Sequence, residues 1–172
     1  MFLVSILFFL FVGIMMGMLT FVAKHPEIAG RSATMGAKAS ALGKADWPNF
    51  LSLLVQTILA LGSLGYGIVT SWVFGREYSD RVIKDLLALP VPRSSIVAAK
   101  FIVVAFWSVI LSLALLAAAL ITGLFVGLSG WTVALAQHAL LTYSVSALLT
   151  ILLCTPVAFV ASASRGYLLP IG

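Results

Sequence analysis

Charged side chains are scarce in this sequence. Its 172 residues include 10 Lys or Arg and 5 Asp or Glu, which is 9% of the chain, whereas 62% of the residues are hydrophobic. A typical soluble domain carries about 25% charged residues. A chain with so few cannot cover a water-facing surface, so the composition predicts an integral membrane protein. The formal net charge of +5 lies in short segments between apolar runs, where anionic lipid headgroups account for it and no nucleic-acid partner is needed.

The sequence also lacks the residues that most chemistry requires. Its single cysteine, Cys154, lies in an apolar run and excludes a disulfide framework or a cysteine metal cluster. Gly43-Lys44 does not continue into a phosphate-binding loop, because Lys38 stands where the first glycine belongs. No Asp or Glu lies deep in an apolar run, which argues against a proton- or sodium-coupled carrier. We therefore expect neither catalysis nor a cofactor or metal bound by this chain.

Four apolar runs are long enough to cross the hydrocarbon core, which takes about 20 helical residues. They predict an all-α integral membrane protein with one transmembrane domain over residues 1–172. A polar break then leads to the start of a fifth span at about residue 167, and Pro156 predicts a kink in the fourth. The complete spans are predicted at about residues 2–23, 50–74, 96–126 and 131–163.

The stretch from Ser71 to Phe101, which includes the segment between the second and third spans, holds half of the basic residues and three of the five acidic ones. Glu77–Arg81 and Arg81–Asp85 are each four residues apart, so opposite charges stack along one side of a helix. Leu86 and Leu89 fall on another side, which makes the helix amphipathic. Pro90 and Pro92 end this helix, and Ser94 or Ser95 is the expected N-cap of the next one.

The order of residues in this segment resembles that of ATP-binding cassette (ABC) type-2 transporter permeases, above all the bacitracin and lantibiotic export or resistance permeases. The matching residues are Glu77, Leu86–Leu87, Pro90, Arg93–Ser94 and Lys100–Phe101. The resemblance implies that 75–93 is a cytoplasmic coupling helix that docks on a separate ATPase subunit, which binds ATP and Mg²⁺. It also implies a dimer with itself or with a related permease, and six spans per subunit, so we expect this chain to be truncated.

On this interpretation the docking surface combines apolar contact with charge pairing. Leu86, Leu87 and Leu89 supply the apolar part, and Glu77, Arg81 and Arg93 set the register. The resemblance places 75–95 in the cytoplasm, and the basic residues favour the same side, since six lie on it and four on the other. The protein is then expected in the cell membrane as a multi-pass subunit of an exporter.

Two further groups of residues are candidates. Ser63, Gly67 and Ser71 repeat every four residues in the second span and predict a seam for close helix packing, within the chain or between subunits. Gln56, Gln137 and His138 are polar residues near span ends that could line a substrate path or simply be solvated at the interface.

Two other functions remain open from the sequence. One is a small channel or carrier that works without ATP, and the other is a membrane scaffold or immunity factor that binds another membrane protein through the Gly/Ser seam. The order of spans and loops does not indicate which substrate is moved.

Overall fold

Four long helices account for nearly all of the described structure. The computed structural model describes residues 2–25, 44–79 and 92–163, with the backbone alone at 76–79, 93 and 161–163. All four helices are long and apolar enough to cross a membrane, which confirms the predicted all-α membrane fold. The start of a fifth span at residue 167 lies outside the described residues. In chain order the helices are α1 (Phe2–Lys24), α2 (Trp47–Ser79), α3 (Arg93–Val126) and α4 (Val133–Ala163).

Local caps set where several of these helices begin and end. The Asp46 carboxylate accepts the Asn49 backbone N–H at 3.1 Å, and the Thr132 hydroxyl accepts that of Leu135 at 3.2 Å, so each is the N-cap of the helix that follows. Gly127 ends α3 in the left-handed conformation, at φ 63°. The expectation that Ser94 or Ser95 caps α3 is wrong. The helix begins at Arg93, with Pro92, two residues before Ser94, in the cap position and no side-chain cap.

The helices form two parallel pairs. In the first pair α1 runs along α3, with Gly13 against Ala118 and Gly17 against Thr122. In the second pair α2 runs along α4, with Trp47 and Trp131 rings 4.6 Å apart at one end and the Thr70 side chain beside that of Cys154 further along. The pairs are antiparallel to each other and meet mainly where α2 crosses α3.

This arrangement gives the bundle two unlike ends. At the turn end, a short connection joins α3 to α4, and the Lys24 ammonium donates to the backbone carbonyls of Val126 and Gly127, both at 2.7 Å. At the loop end, α2 finishes beside the start of α3. Phe2 lies there as well, with its ring centroid 5.2 Å from that of Trp72 and 4.4 Å from that of Trp107. The predicted coupling segment therefore belongs to the loop end.

Pro156 lies inside α4, as the sequence requires, and it leaves the Leu152 carbonyl without its usual backbone donor. The Thr155 hydroxyl donates to that carbonyl at 2.8 Å. The polar group that proline frees is therefore satisfied within the membrane by the residue next to it.

Candidate functional site

The loop end places the two helices that carry the predicted coupling segment in direct contact. The rings of Phe74 on α2 and Phe101 on α3 have centroids 5.0 Å apart. The Lys100 ammonium lies 5.3 Å from the Phe74 ring centroid, within the range of a cation–π interaction. A force on the segment between α2 and α3 would therefore act on two helices that are in contact at the loop end.

Most of the predicted docking residues cannot be compared with the structure. Glu77 lies in the last turn of α2 and Arg93 is the first residue of α3, each described by its backbone only. The others lie outside the described residues: Arg81, Leu86, Leu87, Leu89 and Pro90. The docking surface therefore remains a prediction, and what the structure supplies is the position of its two ends.

A cluster of hydroxyl groups lies between the two helix pairs, in the membrane-spanning part of the bundle. The Tyr66 hydroxyl on α2 and the Ser112 hydroxyl on α3 are 2.5 Å apart, and the Tyr143 hydroxyl on α4 donates to the Ser112 backbone carbonyl at 2.8 Å. Tyr66, Ser112 and Tyr143 are all buried. We call Tyr66, Ser108, Ser112 and Tyr143 the hydroxyl cluster. Both tyrosines belong to the α2–α4 pair, and both bond to the α1–α3 pair at one residue of α3, Ser112.

Ser108 is the exception within this cluster. It lies one turn before Ser112 on the same face of α3, and it is completely buried. Its carbonyl accepts a hydrogen bond from the Ser112 hydroxyl at 2.9 Å, but its own hydroxyl has no partner among the described residues. A buried hydroxyl without a partner costs about 1–3 kcal/mol relative to a satisfied one. Such a group is unusual and calls for a physical reason.

The predicted Gly/Ser seam is divided between exposed and buried positions. Ser63 is exposed, and its hydroxyl donates to the Ala60 carbonyl of its own helix at 2.8 Å. Gly67 has open space where a Cβ would lie, whereas Ser71 is completely buried. Ser63 and Gly67 thus leave room on the outer surface of α2, and a role for them in contacts between subunits remains a prediction.

The predicted path residues lie at similar depths near the turn end. The contacts Trp47–Trp131 and Thr70–Cys154 both join residues 84 apart, so Gln56 is level with position 140, close to Gln137 and His138. All three side chains are exposed. The Gln56 amide lies 3.5 Å from the Ser52 hydroxyl, and the His138 backbone carbonyl accepts the Thr142 hydroxyl at 2.9 Å. A substrate path through them remains a prediction.

Sequence reasoning missed the tightest helix contact and, within the hydroxyl cluster, Tyr66, Ser108 and Ser112. A Cβ on Gly13 would lie 2.6 Å from that of Ala118, and one on Gly17 would lie 2.4 Å from that of Thr122. The four-residue spacing of these glycines in an apolar run is a signal that could have revealed this contact. Tyr66 and Ser112 carry no comparable signal, because they are 46 residues apart and meet only through helix rotation.

Comparisons with known proteins assign the chain to a family. The model of the ABC-2 family transporter proteins matches residues 1–172. The bacitracin transport permease protein BCRB of Bacillus licheniformis is 29% identical over 110 residues, which cover 64% of this chain. The same match covers 53% of that relative, so the chain spans about half of its length. No solved structure matches significantly. The chain belongs to the ABC-2 family of transporter proteins.

Proposed function

We propose that this chain is the membrane subunit of an ATP-driven exporter and that residues 75–93 dock on a separate cytoplasmic ATPase subunit. The observation that carries the proposal is the family match over residues 1–172. A relative described as a bacitracin transport permease supports the transport role. ATP and Mg²⁺ then bind to the partner, and the chain itself hydrolyses nothing.

The geometry of the loop end suits a docked partner. Because Phe74 and Phe101 are in contact, α2 and α3 lie side by side at the loop end. A force that the partner exerts on the segment between them would act on both helices. If the docked helix makes different contacts with the two states of the ATPase, a change of ATPase state shifts the permease between two arrangements. The docked contact would be formed by Leu86, Leu87 and Leu89, followed by the turn at Pro90. Glu77, Arg81 and Arg93 would fix the register through charge.

The remaining predictions belong to the same proposal. Two permease subunits, identical or related, would enclose the path, and the open surface at Ser63 and Gly67 leaves room for the approach of another helix. The exposed polar groups of Gln56, Gln137 and His138 would line the path near the turn end.

Co-purification of the permease with a soluble nucleotide-binding subunit tests the docking role. Leu86→Asp places a charge on the apolar side of the docked helix, and Arg93→Glu reverses a charge at its end. We expect each to lower the recovered ATPase at least tenfold, because truncation or reversal at the centre of an interface costs about 2 kcal/mol or more. Lys44→Glu is the matched control, since Lys44 is exposed at the turn end. Undiminished recovery with both docking variants would contradict the proposal.

A further inference from the structure

Hydroxyl groups in the middle of a membrane bundle are costly unless they are paired, so the Ser108 hydroxyl, which has no partner in the described part of the chain, needs an explanation. Ser112 lies one turn further along α3. Its hydroxyl bonds to the Tyr66 hydroxyl, and its carbonyl accepts the Tyr143 hydroxyl. Ser108 offers the same two groups at the same face, a buried hydroxyl and a carbonyl, displaced by four residues. The two serines therefore offer the same chemical groups and differ in position by one helical turn, although in this arrangement the Ser108 carbonyl already accepts the Ser112 hydroxyl.

We propose that Ser112 and Ser108 are alternative hydrogen-bond stations for Tyr66, and that the α2–α4 pair slides along α3 by one helical turn between them. The inference rests on the proposed transport function, which requires the permease to have two arrangements. In the second arrangement the Tyr66 hydroxyl reaches that of Ser108, and the Tyr143 hydroxyl reaches the Ser108 carbonyl. The displacement is one helical pitch, about 5.4 Å.

The division of the bundle into two pairs suits such a movement. The broad contacts lie within pairs, α1 on α3 and α2 on α4, whereas the pairs meet mainly along α2 and α3. Packed elements move between discrete arrangements, and one-turn displacements of one element past another are a known form of switching. The contacts at Gly13 and Gly17 and the contact between Thr70 and Cys154 lie within pairs, so a slide between pairs leaves them intact.

The surface of α3 repeats its small residues at the required interval. A Cβ on Gly123 would lie 2.8 Å from the far end of the Trp47 indole, so glycine fits the observed register best and any residue with a Cβ requires this ring to shift. The residue four positions earlier is Ala119, which is completely buried and also small. A one-turn slide toward the loop end moves Trp47 from Gly123 to Ala119 while Tyr66 moves from Ser112 to Ser108. Both large side chains thus meet a small residue in either register.

The connection between α3 and α4 can follow the slide. Gly127 has φ 63° and Gly130 has φ 86°, a backbone region that glycine adopts without steric cost. These two positions can change conformation while the helices on either side stay intact. The slide breaks the hydrogen bond from the Trp47 backbone N–H to the Ser129 carbonyl, 3.0 Å long, which lies in this same turn.

Cross-linking of the permease alone tests the two registers without any ATPase. In a Cys154→Ala background, the pair Phe74→Cys/Phe101→Cys reports the observed register, in which these rings are 5.0 Å apart. The pair Phe74→Cys/Val97→Cys reports the register one turn away. A short thiol-specific cross-linker gives the ratio of the two products. Adding Ser112→Ala, which removes the hydroxyl of the first station, should raise the 74–97 product relative to the 74–101 product about fivefold, the change that one net hydrogen bond corresponds to.

Two further variants separate sliding from general loosening. Ser108→Ala in combination with Ser112→Ala should return the ratio to its starting value, because neither station then has a hydroxyl. Thr20→Val removes a hydroxyl that is equally buried but bonds within α1, so it should leave the ratio unchanged. A ratio that Ser112→Ala does not move, or that Thr20→Val moves equally, overturns the proposal. If the ATPase fails to co-purify while Ser112→Ala still shifts the ratio, the docking role falls and the sliding movement stands.

Discussion

At the scale of single residues, Gly13 and Gly17 fix how closely α1 approaches α3. We expect Gly13→Ala and Gly17→Ala each to destabilise the purified permease by about 1–3 kcal/mol, because the added methyl group would overlap Ala118 or Thr122 and push the helices apart. Thermal unfolding in detergent measures this loss. Gly67→Ala is the control, since its Cβ enters open space and alanine favours the helix. Equal losses in all three variants would contradict the packing argument.

The Thr155 hydroxyl satisfies the backbone carbonyl that Pro156 leaves without a donor. Thr155→Val should destabilise the bundle by about 0.5–1.5 kcal/mol, because the Leu152 carbonyl then has neither its backbone donor nor a side-chain donor. In a Pro156→Ala background the backbone N–H returns, and Thr155→Val should then have little effect. The difference between the two backgrounds is the coupling energy of a double-mutant cycle, measured from unfolding midpoints. Equal effects in both backgrounds would show that the hydroxyl acts elsewhere.

At the scale of helices, Lys24 joins the end of α1 to the end of α3 through two carbonyl groups. Cations near a helix C-terminus also interact favourably with its dipole. Lys24→Met keeps much of the length of the side chain and removes the donors, so we expect a loss of about 1 kcal/mol. Lys44→Met is the matched control, because Lys44 is exposed on the same side of the bundle. Detergent unfolding midpoints of the two variants measure the difference.

The helices follow from the sequence better than their contacts do. Long apolar runs predict four spans because the hydrocarbon core requires about 20 residues of helix, whatever the neighbours are. The contacts depend on helix rotation and depth, which apolar runs hardly constrain. Trp47 shows this. Indole rings near span ends often lie at the lipid interface, whereas this ring is buried inside the bundle against Phe50, Gly123 and Trp131. Likewise, the repeat at Ser63 and Gly67 signals close packing, yet the close packing observed in the described residues includes Gly13 and Gly17.

At the scale of the whole molecule, the division into two helix pairs connects the loop end with the hydroxyl cluster. Tyr66 and Phe74 lie on the same helix, two turns apart. A displacement of the end of α2 would therefore also displace Tyr66 in the hydroxyl cluster. The α4 helix moves with it, since Trp131 and Cys154 tie it to α2 at both ends of their contact. Coupling of this kind needs no strain within a helix, because the change is confined to the surface between the pairs.

The orientation of the bundle in the membrane decides whether this coupling can serve a cytoplasmic motor. Ser94 at the loop end and Ser129 at the turn end are both exposed, so each can carry a cysteine in a Cys154→Ala background. If the loop end faces the cytoplasm, as the excess of basic residues favours, a membrane-impermeant maleimide added to intact cells should label Ser129→Cys. It should label Ser94→Cys only after permeabilisation. The opposite pattern would put the loop end outside the cell, where no cytoplasmic ATPase subunit can bind it, and the docking role would have to be abandoned.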